Sequence, residues 1–184
     1  MELIKTPIEG LLIVKPRVFE DSRGFFYESY NQTTFKNAGI EIHFCQDNLS
    51  KSSYGVVRGL HYQLLPQSQT KLVSVIAGTV WDVAVDLRET SPTFGQWYGI
   101  ELSAENKLQF LIPKGFAHGF SVLSPEAIFS YKCDDFYSPA HERGILYNDP
   151  QLNIDWKLPE SKILVSPKDL VHPSFAEADK NFRY

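Results

Sequence analysis

The feature that most limits what this chain can become is a two-residue alternation of apolar and polar side chains, repeated in short runs. Ile40 to Cys45, Val80 to Leu87, Tyr98 to Leu102 and Leu108 to Ile112 carry it. Gly10 to Val14, Phe25 to Ser29, Leu72 to Ile76, Phe116 to Val122 and Ala127 to Cys133 read as further strands. A pleated strand turns successive side chains to opposite faces, so a period of two marks strands with one face buried. Lys15-Pro16 and Pro113-Lys114-Gly115 punctuate the runs, and Ala77-Gly78-Thr79 reads as a hairpin turn. Phe19 to Gly24 reads as a loop with a turn. Helix is scarce: Asn31 to Ala38, with Asn31 as N-cap and Gly39 as the stop, is the best internal case. Many short strands with little helix predict an all-β sandwich or barrel of the jelly-roll kind, whose mouth holds one small ligand. With 184 residues and no linker or repeat, the chain reads as a single domain spanning 1–184. A Pro-punctuated tail begins at about residue 158, with helical turns around Ser166–Asp169 and Ser174–Lys180.

Composition narrows the function classes. At 43% hydrophobic residues the chain can bury a proper core, and a net charge of −4 gives no electrostatic footprint for nucleic acid. Cys45 and Cys133 lie far apart with no CxxC partner, which reads as reduced structural thiols and a cytoplasmic location. The first residues show no apolar targeting segment, and no stretch approaches the ~20 apolar residues of a membrane span. Neither nucleic acid nor membrane is expected as a partner.

Several chemistries lack their motifs. A metal-binding β-barrel wants two histidines two apart, but position 59 is Gly, position 63 is Gln, and no HxH occurs anywhere. No GxSxG, P-loop or GxGxxG is present. What remains is histidine, tyrosine, lysine, arginine and carboxylates scattered over strands, an inventory suited to proton transfer. The run Arg58-Gly59-Leu60-His61-Tyr62-Gln63 concentrates it. On a regular strand Gly59, His61 and Gln63 would share one face, with Arg58, Leu60 and Tyr62 on the other. Asp82 and Asp86 share the strand face opposite Val83, Val85 and Leu87. They read as structural acids, as support for His61, or as a bridge to a second subunit. His43, His141 and His172 read as bland.

Blocks in register then carry a resemblance. Asp21-Ser22-Arg23-Gly24-Phe25-Phe26, Gln46-Asp47-Asn48, the Arg58–Gln63 run, Pro113-Lys114-Gly115-Phe116-Ala117-His118-Gly119-Phe120, and Tyr131-Lys132 through Tyr137-Ser138-Pro139 appear in order. Together, over about residues 3 to 175, they resemble the dTDP-4-dehydrorhamnose 3,5-epimerase family of sugar-nucleotide epimerases. The resemblance implies a cupin-type jelly roll, a homodimer, a dTDP-4-keto-6-deoxy sugar as substrate, and no redox cofactor or metal. By the same resemblance His61 is the base, Asp169 orients it, Tyr131 delivers a proton to the opposite face, and Lys71 sits near the C4 oxygen. Arg23, Arg58 and Lys168 are implied in diphosphate and nucleotide binding. Glu28, Gln46, Asp47 and Asn48 are implied in reading thymine and ribose, Tyr137 in stacking on the base, and His118 and Glu142 in sugar- and phosphate-side contacts. Three alternatives stay open: inversion at one carbon only, or a shift of the carbonyl, in another deoxysugar pathway; a sugar-nucleotide-binding module without catalysis; and a metal-dependent cupin oxygenase.

Overall fold

Alternation becomes strand only where a neighbouring strand takes up the backbone's hydrogen bonds. In the computed structural model, which describes residues 1–184, that condition is met by fourteen strands. They are β1 (Glu2–Lys5), β2 (Leu12–Lys15), β3 (Val18–Asp21), β4 (Gly24–Tyr27), β5 (Gln46–Ser53), β6 (Val56–Gln63) and β7 (Lys71–Ala77). The rest are β8 (Thr79–Asp86), β9 (Trp97–Ser103), β10 (Gln109–Ile112), β11 (Phe116–Val122), β12 (Glu126–Cys133), β13 (Glu142–Gly144) and β14 (Leu164–Val165). The first sheet runs β1-β2-β10-β7-β12-β5 and the second β13-β6-β11-β8-β9, with β14 added beside β6. The β3–β4 hairpin stands apart from both. No helix is long and apolar enough to cross a membrane.

Three apolar clusters explain the layering. Between the sheets, Ile13, Val73, Val75, Phe110 and Phe129 of the first meet Val80, Ala84, Leu102, Phe116 and Phe120 of the second. Phe110 and Phe129 are fully buried there, and burying such a ring contributes about 1.5–3 kcal/mol. The back of the second sheet, through Val57, Leu60, Tyr62, Val83 and Val85, is covered by the tail residues Trp156, Phe175 and Phe182. Behind the first sheet, Val14, Leu72 and Leu111 are covered by Phe35 of the short helix α1 (Gln32–Asn37) and by Ile40. Asn31 caps that helix as expected, its Oδ1 accepting the Thr33 and Thr34 backbone N–H groups at 2.9 and 3.1 Å.

The structure corrects three local expectations and adds one strand that none of them covered. Ala77-Gly78-Thr79 does not close a hairpin: β7 belongs to the first sheet and β8 to the second, so the turn is a corner between layers. Ile40 to Cys45 forms no strand; Ile42 and Phe44 pack behind the first sheet instead. Gln46–Ser53 is a strand although it hardly alternates, because it lies at the first sheet's edge, where water replaces an apolar neighbour. Part of the expected loop at Phe19 to Gly24 is paired, as Glu20 stands opposite Phe25 in the β3–β4 hairpin.

Candidate active site

The site begins with an irregularity. Strands β6 and β11 run antiparallel with Val57 opposite Ser121, Arg58 opposite Phe120 and His61 opposite His118. Between these pairs Gly59 and Leu60 together face Gly119 alone, which is a β-bulge. The extra residue shifts the phase of the alternation. Val57, Leu60 and Tyr62 all join the apolar cluster behind the sheet. Arg58 and His61 therefore come to the same side, where both line one cavity. The regular-strand expectation that they oppose each other is corrected by the bulge. Gly59 permits it: its φ is +131°, and a Cβ there would lie 2.6 Å from the Cα of Gly119.

The tail brings the carboxylate. Leu164 and Val165 pair with Val56 and Val57, which lays the following turn over the end of β6. Ser166 Oγ accepts the Asp169 backbone N–H at 3.1 Å, and the Asp169 side chain turns inward with its Oδ1 2.7 Å from His61 Nε2. Burial opposes ionisation of Asp169, but His61, Ser166 and His172 together outweigh it and hold the carboxyl below its ordinary range. An ionised carboxylate only accepts, so His61 Nε2 carries the hydrogen and Nδ1 keeps the lone pair. His172 was missed by sequence reading. Its Nε2 lies 3.3 Å from the same Oδ1, and its ring lies edge-on to His61 with centroids 5.7 Å apart. The one available signal was its position three residues after Asp169, which a helical turn brings to the same side. The donor atoms of His61, Asp169 and His172 lie within 4.8 Å of one another, the one such group in the chain that could hold a metal ion.

A second imidazole–carboxylate pair adjoins the first. His118 Nε2 lies 2.9 and 3.0 Å from the two oxygens of Asp82, which is fully buried. Burial raises the Asp82 pKa against the opposing pull of His118 and Lys71. Asp82 thus supports His118 rather than His61. Asp86 is structural: Arg88, Ser91 and Thr93 all donate to its carboxylate.

The first sheet supplies the facing wall. Lys71 follows the inward phase of Val73 and Val75, and Tyr131 that of Phe129, whose ring centroid is 6.1 Å from its own. Lys71 is partly open at its surface, yet burial of its ammonium lowers its pKa. Burial raises that of Tyr131, with smaller effects from Cys133, Arg58 and Glu142. Asn48, opposite Tyr131 on β5, shares its side and points its amide at Cys133 Sγ, 3.8 Å away. Arg58 spans the sheets, its Nε donating to Ser52 Oγ at 3.0 Å.

The loop after β12 ties both walls together. Gln46 Oε1 accepts the Tyr137 N–H at 2.9 Å, and Gln63 Oε1 accepts the Ser138 N–H at 2.7 Å. At the rim, Glu142 Oε2 accepts from Lys168 Nζ at 2.6 Å and from the Tyr137 hydroxyl at 2.8 Å. Burial pushes the Glu142 pKa up, but these two bonds pull it below its ordinary value. The cavity beside them, of about 450 Å³, is lined by Val56, Arg58, His61, Leu164, Lys168 and Asp169.

Three expected binders lie elsewhere in this chain. Arg23 is at the exposed tip of the β3–β4 hairpin, paired only with Asp21 at 2.6 Å. Glu28 accepts from Asn31 at the start of α1 and lines a separate hollow with Arg17 and Phe19. Asp47 follows the strand's alternation away from Gln46 and Asn48, onto the outer face, where Lys132 holds it at 2.9 Å.

A family profile described as dTDP-4-dehydrorhamnose 3,5-epimerase matches residues 5–177. The chain belongs to the dTDP-4-dehydrorhamnose 3,5-epimerase family. The epimerase of that name from Shigella flexneri is 56% identical over 97% of this chain and 98% of its own. Among solved structures, the dTDP-6-deoxy-D-glucose-3,5-epimerase of Legionella pneumophila, in complex with dTDP-4-keto-L-rhamnose, superposes with a TM-score of 0.95. It is 54% identical, covering 100% of this chain and 98% of that one. A 3'-monoepimerase from Streptomyces bikiniensis, in complex with dTDP-quinovose, is 32% identical with a TM-score of 0.86, over 93% of this chain and 86% of that one. The 3,5-epimerase family has a cupin-like β fold, which is the architecture of this chain.

Proposed function

We propose that this isomerase inverts C3 and C5 of dTDP-4-dehydro-6-deoxy-D-glucose, giving dTDP-4-dehydro-L-rhamnose. One observation carries the reading: an imidazole locked to a buried carboxylate stands across the sandwich from the wall that bears Tyr131 and Lys71. A ketone at C4 acidifies the hydrogens on its two neighbouring carbons. His61 takes one through Nδ1, and the imidazolium that results is steadied by Asp169. Negative charge passes to the C4 oxygen, where the Lys71 ammonium meets it in poorly hydrated surroundings that magnify the attraction. Tyr131, its pKa raised by burial, stays protonated and returns a hydrogen to the opposite face. The phenolate then recovers a proton and His61 loses its own, which readies the pair for the second carbon.

Binding follows from the rim. Arg58 and Lys168 meet the diphosphate, since guanidinium forks and ammonium groups suit phosphate oxygens. Tyr137, exposed and held by Glu142, offers a ring for the base, while Gln46 and Asn48 give amides for ribose and thymine. His118, held by Asp82, faces the sugar. Arg23, Glu28 and the exposed Phe25 and Phe26 act on a second copy's site, in a cytoplasmic homodimer of single-domain subunits. The apolar Leu49 and Ile76, exposed on the first sheet's outer face, suit that interface.

The test is incubation with the dTDP-4-keto sugar in heavy water. Deuterium at both C3 and C5, with the L-rhamno product by proton NMR, is expected. Exchange at one carbon would favour a single-centre enzyme, a reading to which the likeness to the 3'-monoepimerase gives weight. Exchange at neither would leave a binding module without catalysis.

A further inference from the structure

We propose that His61, Asp169 and His172 bind a divalent transition metal of the Zn²⁺ type, and that the bound ion silences the base. The silencing half rests on the role proposed for His61; the binding half does not. Two imidazole nitrogens and a carboxylate oxygen with room beside them form the donor set that borderline dications prefer.

The site is built rather than incidental. Asp169 Oδ1 is the common vertex, 2.7 Å from His61 Nε2 and 3.3 Å from His172 Nε2. Ligands bound at about 2.0–2.1 Å in a tetrahedron stand about 3.3 Å apart. The His172 edge already has that length, the His61 edge needs to open by about half an ångström, and the edge between the two imidazoles is no longer than 4.8 Å. His172 Nε2 is buried with no hydrogen-bond partner, because it lies off the line of a bond to Asp169. A buried donor or acceptor left unsatisfied is costly, and a metal would satisfy it. One face of the ring is seated on Gly144, where an added Cβ would strike it. The cavity of about 450 Å³ beside His61 and Asp169 leaves space for water on the remaining coordination position.

Binding has a defined chemical consequence. The ion takes the lone pair of His61 Nε2, so the single ring hydrogen must move to Nδ1. That is the nitrogen proposed to accept the substrate's hydrogen, and as an N–H it cannot. Asp169, turned to the metal, no longer steadies an imidazolium.

Calorimetric titration of the whole protein with ZnCl₂ tests the binding half without turnover. One saturable site per chain is expected, with visible d–d absorption when Co²⁺ replaces Zn²⁺. His172→Ala and His172→Gln, checked for folding by circular dichroism, should each weaken binding at least about tenfold. His43→Ala should leave it unchanged. No saturable site, or equal affinity in both His172 variants, overturns the proposal, as does loss of the site in His43→Ala. For the second half, Zn²⁺ should stop deuterium wash-in at the occupancy measured by calorimetry, and EDTA should restore it. Undiminished wash-in with the site filled would overturn the silencing alone.

Discussion

Asp169 meets three groups within one turn: Ser166 accepts its backbone N–H, while its Oδ1 bonds His61 and lies 3.3 Å from His172 Nε2. Replacing it with Asn keeps the shape and removes the charge that holds the His61 tautomer. Asp169→Asn should lower deuterium wash-in by about 10²–10⁴-fold, the range for general-base catalysis, with native circular dichroism. The same substitution has a pH signature. The folded carboxyl sits below its ordinary value of 3.8, so its ionised form stabilises the fold fully above that pH. The contribution is lost as pH falls through the folded value. Urea midpoints of wild type and Asp169→Asn should therefore differ near neutrality and draw together below pH 3.8. Lys71 gives the opposite limb. Burial holds its ammonium below the usual 10.5, so kcat/KM should fall on the alkaline side before that pH, as measured in buffers of matched ionic strength. His61 and Tyr131 were legible as candidates because each sits inside an intact block, while Lys71 rests on the resemblance alone. His172 was not, since its meaning depends on where a turn of the tail lands.

At the scale of elements, the bulge at Gly59 and Leu60 does the most for the site. It was invisible to periodicity, because one inserted residue leaves the sequence on both sides looking regular. Gly59→Ala adds a Cβ against the Gly119 backbone and forces a positive φ on a residue that resists it. It should cost about 1–3 kcal/mol in denaturant titrations, and activity should fall further than stability alone accounts for, as Arg58 and His61 part. Strands such as β8 and β9 were readable from their alternation, although β8 is buried on both faces. The edge strand β5 was not, as few of its side chains meet apolar neighbours. The corner at Gly78 was read as a hairpin because a turn's residues do not say whether the chain re-enters its own sheet or crosses to the other.

The whole molecule leaves one broad surface unaccounted for. The outer face of the first sheet is covered by α1 on one side only, and Leu49 and Ile76 stay more than half exposed on the other. If that face pairs two copies, Leu49→Asp with Ile76→Asp should halve the mass found by sedimentation equilibrium. Activity should fall with it, since Arg23 and Glu28 stand apart from the cavity of their own chain. A monomeric wild type with full turnover would count against the pairing. The jelly-roll layering was foreseeable from strand count and spacing. The tail's place behind the second sheet was not, for its apolar residues follow no period. That placement also ties the candidate site to the core. The segment that carries Asp169 to His61 is pinned by the pairing of Leu164 and Val165 with β6 and by Phe175 in the cluster behind the second sheet. A change that loosens that cover reaches the imidazole's partner without touching a residue of the cavity.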